Sequence, residues 1–122
     1  MFAYMPDELI AWLVREHDVI ADTVTGELEA RMTAAGKPLV RVRQAPSPAD
    51  EITQYARVDI EVFAFDRQTA LDKARQIRDG LSPRTRLDTA TIDTVRPDAL
   101  PHEIPWSNAK VRRFLATYQI ST

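Results

Sequence analysis

The chain has 122 residues, 44% apolar and 28% charged, and its 16 lysines and arginines against 18 acidic residues leave a formal charge of −2. These values predict one soluble globular domain over residues 1–122 and exclude a disordered chain. The balanced, dispersed charge indicates no nucleic-acid-binding surface, the lack of any run of about 18 apolar residues excludes a membrane-spanning helix, and the absence of cysteine excludes disulfides and thiolate chemistry.

The first predicted element is a helix that begins at Pro6 and ends near His17. Proline suits the first helical turn, and the acidic residues that follow it lie at the positive end of the helix dipole. The residues that share its apolar face are Leu9, Ile10, Leu13 and Val14.

Two short strands are predicted next. The segment Asp18–Met32 admits two interpretations. An alternating strand is possible over Val24, Gly26, Leu28, Ala30 and Met32, whereas Glu27–Ala35 has good helix propensity; we expect a short strand. Leu39–Gln44 is a second strand, with two valines on one face and two arginines on the other. The polar segment Ala45–Glu51 contains two prolines and predicts a long hairpin with a mobile tip before the next strand.

The clearest pattern in the chain is a strand over Tyr55–Phe65 followed by a helix. Period-two alternation predicts that the strand is half buried. Its apolar positions are Ala56, Val58, Ile60, Val62 and Ala64, which alternate with Arg57, Asp59 and Glu61. Asp66 predicts a helix cap, because its side chain can accept from free N–H groups of the first turn. The helix stripe is Ala70, Ala74, Ile77 and Leu81, and Gly80 and Pro83 end the helix.

The last third of the chain predicts two more strands around an irregular segment. We expect a strand over Leu87–Val95, with Ala90 and Ile92 on one side. Three prolines in Arg96–Trp106 argue against a helix or a central strand there. The final strand is predicted over Lys110–Ser121, where Phe114, Ala116, Tyr118 and Ile120 occupy alternate positions.

The order of these elements predicts an α+β fold. We expect a mainly antiparallel sheet of four to five strands, with two helices packed on one face.

Few residues suggest chemistry. His17 and His102 lie far apart and outside any metal-binding spacing, so we expect no metal site. Asp59 and Glu61 point the same way from one strand, which permits a carboxylate pair for acid–base work, but Arg57 beside them favours a solvated or ion-paired face. We therefore expect no catalytic residues, no cofactor and no enzymatic activity.

A contact with a partner is the alternative use of these polar and aromatic residues. Trp106 either pins its loop to the core or contacts a neighbouring subunit, where tryptophan is enriched. The residues expected to form a subunit interface are Arg57, Asp59, Glu61, Phe63, Phe65 and Trp106.

The order and sequence of several segments resemble the tail terminator proteins of long, non-contractile-tailed bacteriophages. The segments are a strand over Ala56–Phe65, a helix containing Ala70–Arg75, a strand over Ile92–Val95, a loop over Leu100–Pro105 and a final strand over Arg113–Ile120. The resemblance covers residues 39–122 and, more loosely, the first helix.

Membership of this family implies a structural virion protein of the head-proximal tail end, assembled in the host cytoplasm. It implies a hexameric ring of identical subunits that caps the tail tube, ends tail elongation and binds the neck, or stopper, protein of the head. The partners are then the chain itself, the major tail tube protein and the neck protein; DNA passes through the ring without specific binding. Another neck ring, either stopper or adaptor, is the alternative, and a small domain that binds a ligand at Arg57, Asp59 and Glu61 is a third.

Overall fold

The computed structural model describes residues 5–45 and 55–122 as an α+β fold with a five-stranded, mainly antiparallel sheet. The helices are α1 (Met5–His17), α2 (Leu28–Ala35) and α3 (Arg67–Gly80). The strands are β1 (Ile20–Asp22), β2 (Leu39–Gln44), β3 (Tyr55–Ala64), β4 (Thr94–Ile104) and β5 (Arg112–Ser121). Their order in the sheet is β1-β2-β3-β5-β4, and only the β1–β2 pair is parallel. The predicted fold class is confirmed.

The main core lies between α1, α3 and one face of the sheet, here called the first face. Alternate residues of the three central strands supply it, because successive side chains of a strand point to opposite faces. Those in the core are Val40, Val42, Val58, Ile60, Val62, Ala64, Phe114, Ala116, Tyr118 and Ile120. Burial raises the pKa of the Tyr118 hydroxyl to about 12. The predicted burial of alternate positions in β3 and β5 is confirmed.

Helix α3 forms where its cap and stripe predict it. The Asp66 carboxylate accepts hydrogen bonds from the backbone N–H groups of Gln68 and Thr69, which have no partner within the helix. The apolar stripe Ala70, Ala74 and Ile77 is buried against the sheet.

The predicted end of α1 at His17 is confirmed, but its buried face differs from the prediction. Leu9 and Leu13 are buried, together with Trp12, whereas Val14 is exposed. Trp12 takes part in the core because it reaches the side chain of His17 and the end of α3.

The segment from Asp18 to Met32 forms a strand and a helix, so the prediction of a strand with alternating residues up to Met32 is wrong. The strand is only Ile20–Asp22, and α2 follows. Leu28 and Met32 are the buried residues of α2, because a spacing of four residues brings them to one helix face. Gly36 then ends α2 with a positive φ of 64°, and its N–H donates to the Met32 carbonyl.

Helix α2 lies on the opposite face of the sheet from α1 and α3, here called the second face. Leu28 and Met32 form a small second core with Leu39, Phe63 and Val111. The prediction of two helices on one face holds for α1 and α3, and α2 is an addition on the other face.

The prediction of a strand over Leu87–Val95 is wrong for most of its length. Residues 86–91 form a tight loop with a single bridge between Arg86 and Thr91. The buried carboxylate of Glu8 in α1 accepts from both the N–H and the hydroxyl of Thr89, so side-chain hydrogen bonds replace strand pairing there.

The prediction of an irregular segment over Arg96–Trp106 is also wrong, since β4 extends from Thr94 to Ile104. It is an edge strand with register shifts on both sides of Ala99. An edge strand needs only one side of its backbone for pairing, so it tolerates Pro97 and Pro101. The expectation that this segment is not a central strand is confirmed.

Strands β2 and β3 form the predicted antiparallel hairpin pair. The hairpin tip, predicted as mobile, lies outside the described residues. Of the helices that the structure describes, none combines the length and apolar character needed to cross a membrane.

Candidate functional site

The second face of the sheet contains a buried carboxylate surrounded by arginines. Glu61, in the central strand β3, has a side chain that is 1% exposed. Arg41 donates to it from Nε at 2.8 Å and from a terminal nitrogen at 2.9 Å. Arg43 reaches it at 3.0 Å and Arg113 at 3.1 Å. We call these four residues the Glu61 cluster.

Strand register assembles the Glu61 cluster. Arg41 of β2 lies directly opposite Glu61, and Arg43 is two residues further along the same face of β2. Arg113 belongs to β5 on the other side of β3, one diagonal position from Glu61. Cations therefore flank the carboxylate from both neighbouring strands, at the close distances typical of cross-strand pairs.

The burial of the Glu61 cluster makes its ion pairs important for the stability of the folded chain. A carboxylate removed from water requires paired charges and hydrogen bonds. Arg41 and Arg113 are also largely buried, with side chains 14% and 18% exposed. Arg113 in addition donates to the carbonyl oxygen of Pro105 at 2.8 Å, which ties the β4–β5 connection to the cluster. The ion pairs and hydrogen bonds of the cluster therefore connect β2, β3, β5 and the β4–β5 loop.

Two aromatic residues lie beside the Glu61 cluster. The rings of Phe63 and Trp106 meet edge to face, with centroids 4.9 Å apart. The Arg113 guanidinium lies over the Trp106 ring at 5.0 Å, and Arg41 lies over Phe63 at 5.8 Å. Trp106 thus packs its loop against the second core, which is the first of the two roles predicted for it. The second role, a contact with a neighbouring subunit, stays a prediction.

The residues predicted for a subunit interface have different surroundings. Arg57 forms an ion pair with Asp98 at 2.8 Å, and Asp59 accepts from the Thr117 hydroxyl at 2.6 Å. Phe63 is 0% exposed, so it belongs to the core of the subunit. Only Phe65 is a strongly exposed aromatic among them, at 47%.

Phe65 lies apart from the other predicted residues. It follows the end of β3 and lines a groove of about 390 Å³ between the end of α2 and the start of α3. Met32, Pro38 and Ala64 supply apolar lining to this groove. Arg57, Asp59, Glu61, Phe63 and Trp106 are therefore brought together on the second face, and Phe65 is not.

The two carboxylates of this face do not form a pair. Asp59 and Glu61 each have their own hydrogen-bond donors and do not share a proton site. Within residues 5–45 and 55–122, no group of three or more potential ligand side chains is arranged to hold a metal ion.

The three arginines of the Glu61 cluster were not among the predicted site residues. The sequence contains a signal for two of them, because Arg41 and Arg43 alternate on one strand as Asp59 and Glu61 do on the next. Arg113 has no such signal, since its distance of 52 positions from Glu61 is bridged only by the β3–β5 pairing.

His17 occupies a different site, at the junction of α1 and α3. Its ring meets the Trp12 ring edge to face at 4.6 Å and lies against Gly80. The Lys73 ammonium donates to the His17 carbonyl at 2.8 Å. Burial, and then the charge of Lys73, lower the pKa of His17 from its ordinary value of 6.5, while Glu16 opposes this shift.

Stability is expected to fall on acidification because of His17. A folded-state pKa below the unfolded one means that the unfolded chain binds more protons, so the free energy of unfolding decreases as the pH drops from about 7 to about 5. Urea unfolding across this range measures the effect. The variant His17→Gln should lose part of the pH slope, whereas His102→Gln, which changes an exposed residue of β4, should keep it. An unchanged slope in His17→Gln would contradict the prediction.

The sequence was compared with known protein families and with curated proteins. No known family model matches the chain, and no curated protein shows significant similarity to it.

Proposed function

We propose that this chain is a structural subunit of a bacteriophage tail, which forms a hexameric ring that caps the tail tube and joins it to the head. The observation that carries the proposal is the arrangement of the segments that resemble tail terminators. Three of its five segments, the first strand, the helix and the final strand, correspond to β3, α3 and β5, which pack together at the centre of the fold. Of the other two, Ile92–Val95 is a strand only from Thr94 onward, and most of the expected loop Leu100–Pro105 belongs to β4.

The surfaces of the subunit suit assembly through side chains. Strand β1 is only three residues long, and β4 has two prolines and two register shifts, so both sheet edges are poor templates for adding strands. A closed ring is built from heterologous contacts between two unlike surfaces. The outer side of α1 and α3 is one such surface, and the second face, with the Glu61 cluster and α2, is another.

The proposed ring has two further partners. One of its surfaces binds the major tail tube protein when the tail reaches its length, and the other binds the head-proximal neck protein. DNA passes through the lumen without sequence-specific contacts. The protein is then found in the virion, at the head end of the tail.

The test combines assembly with location. Light scattering and cross-linking of the purified chain, alone and mixed with tail-tube protein, are expected to detect a hexamer in at least one of the two settings. Immunogold labelling of assembled particles is expected to mark the head-proximal tail end. A chain that stays monomeric in both settings and never labels that end contradicts the proposal; a label between portal and tail would instead favour a stopper or adaptor ring.

A further inference from the structure

The last turn of α1 is held against the last turn of α3 by the side chain of His17. The half-buried His17 ring meets the Trp12 ring edge to face, with centroids 4.6 Å apart. Trp12 is only 4% exposed, so the groups packed around it, the His17 ring included, shield it from water. We call the contact between His17, Trp12 and Gly80 the His17 junction.

Gly80 allows the two helices to approach this closely. A Cβ atom added at Gly80 would lie 3.0 Å from Nε2 of His17 and 3.2 Å from the Trp12 ring, closer than ordinary van der Waals contact. The space beside the end of α3 is therefore filled by the imidazole ring in place of a side chain from residue 80. The closed junction depends on the ring staying in this position.

The surroundings of the His17 ring favour its neutral form. Of the residues that the structure describes, none accepts a hydrogen bond from either ring nitrogen. The charged groups that act on the ring are Lys73 of α3, which disfavours a second cation, and Glu16 of α1, which favours one. The next residue, Asp18, is already paired with Lys37 at 2.9 Å. The Lys73 ammonium also binds the His17 carbonyl at 2.8 Å, so the negative end of the α1 dipole already holds a cation.

A protonated His17 ring can leave the junction by rotation of its side chain. An imidazolium has two N–H donors and a positive charge, and both are satisfied by water outside the junction. Because His17 is the last residue of α1 and is half-buried, a change of rotamer is enough to bring the ring into solvent. The cost is the lost contact with Trp12 and with the end of α3.

We propose that the His17 junction is an acid-sensitive latch. Protonation turns the ring out of its contact with Trp12 and Gly80 and frees the last turn of α1 from α3, while the sheet and its two cores stay folded. Opening has to overcome the packing of the closed junction, so its midpoint lies below the ordinary histidine pKa of 6.5. The latch belongs to the single subunit and is independent of the assembly proposed above.

The accessibility of Trp12 reports whether the latch is open. The chain has two tryptophans, and Trp106→Phe leaves Trp12 as the single one. We expect the acrylamide quenching constant of this parent variant to rise at least about twofold between about pH 7.5 and about pH 5. Far-UV circular dichroism identifies the part of this range in which the subunit stays folded. His17→Gln in the parent should remove the rise, and the control His102→Gln, which changes an exposed histidine of β4, should keep it.

A second variant opens the latch by size instead of charge. In Gly80→Val the new methyl groups take the position of the His17 ring, so quenching should be high at both ends of the pH range. Gly80→Ala replaces it if the valine variant does not fold. If Trp106→Phe does not fold, amide hydrogen exchange in the last turn of α1, corrected for the intrinsic effect of pH, replaces quenching in the wild-type chain.

Three results would overturn the inference. One is quenching, or exchange, that stays constant over the whole pH range in which the chain is folded. Another is a rise on acidification that His17→Gln leaves in place. The third is a folded Gly80 variant in which Trp12 is as well protected at neutral pH as in the parent.

Discussion

Replacing Glu61 by glutamine is expected to lower the free energy of unfolding by about 3 kcal/mol. The substitution keeps the size of the side chain but removes the only charge that the structure describes as balancing Arg41, Arg43 and Arg113 together. Two of these guanidiniums are largely buried, and removing one partner of a buried ion pair leaves uncompensated charge behind. Urea unfolding of the variant and wild type at equal protein concentration measures the difference.

Glu103→Gln is the matched control for this experiment. Glu103 also binds two arginines, Arg67 and Arg112, but all three side chains are far more exposed than Glu61. Solvent screens such pairs, so the control should lose less than about 1 kcal/mol. Equal losses in the two variants would show that the Glu61 cluster is no more than a surface ion pair.

Phe63→Ala is expected to lower the free energy of unfolding by about 3–5 kcal/mol, as truncation of a buried phenylalanine typically does. Phe63 is 0% exposed and packs with Leu39, Val111 and Trp106 on the second face. The loss would be a property of the single subunit, because these contacts lie within one chain. It should therefore appear in unfolding experiments at protein concentrations too low for assembly.

Phe65→Ala is the control, because it removes the same side chain two positions later in the sequence. Phe65 is 47% exposed, and such a surface truncation should change stability by less than about 1 kcal/mol. If Phe63 instead served only a contact between subunits, its truncation would weaken assembly and leave the stability of the isolated subunit unchanged. The pair of variants thus separates a core role from an interface role for the two phenylalanines.

Local patterns predicted the central elements of the fold well. The alternation in β3, the cap at Asp66, the stripe of α3 and the final strand all appear in the structure near their predicted bounds. Each of these signals arises from neighbouring residues, since period two and period 3.6 report which side of a single element is buried.

The failures occurred where contacts distant in sequence outweigh local preference. Thr89 is held by Glu8, 81 positions earlier, so that segment forms a loop instead of a strand. Pro97 and Pro101 are accepted in β4 because its place at the sheet edge leaves one side of its backbone unpaired. Nothing near these residues in the sequence identifies the edge.

In the candidate site too, some features follow from local sequence patterns and others only from contacts between distant segments. The sequence by itself determined that Arg57, Asp59, Glu61 and Phe63 share one face of a strand, because alternate side chains point the same way. Only the tertiary structure decided that Glu61 and Phe63 are buried and that Arg57 and Asp59 have partners in β4 and β5. Strand order and register bring Arg41, Arg43 and Arg113 to Glu61, and both depend on how the whole sheet packs rather than on any local pattern.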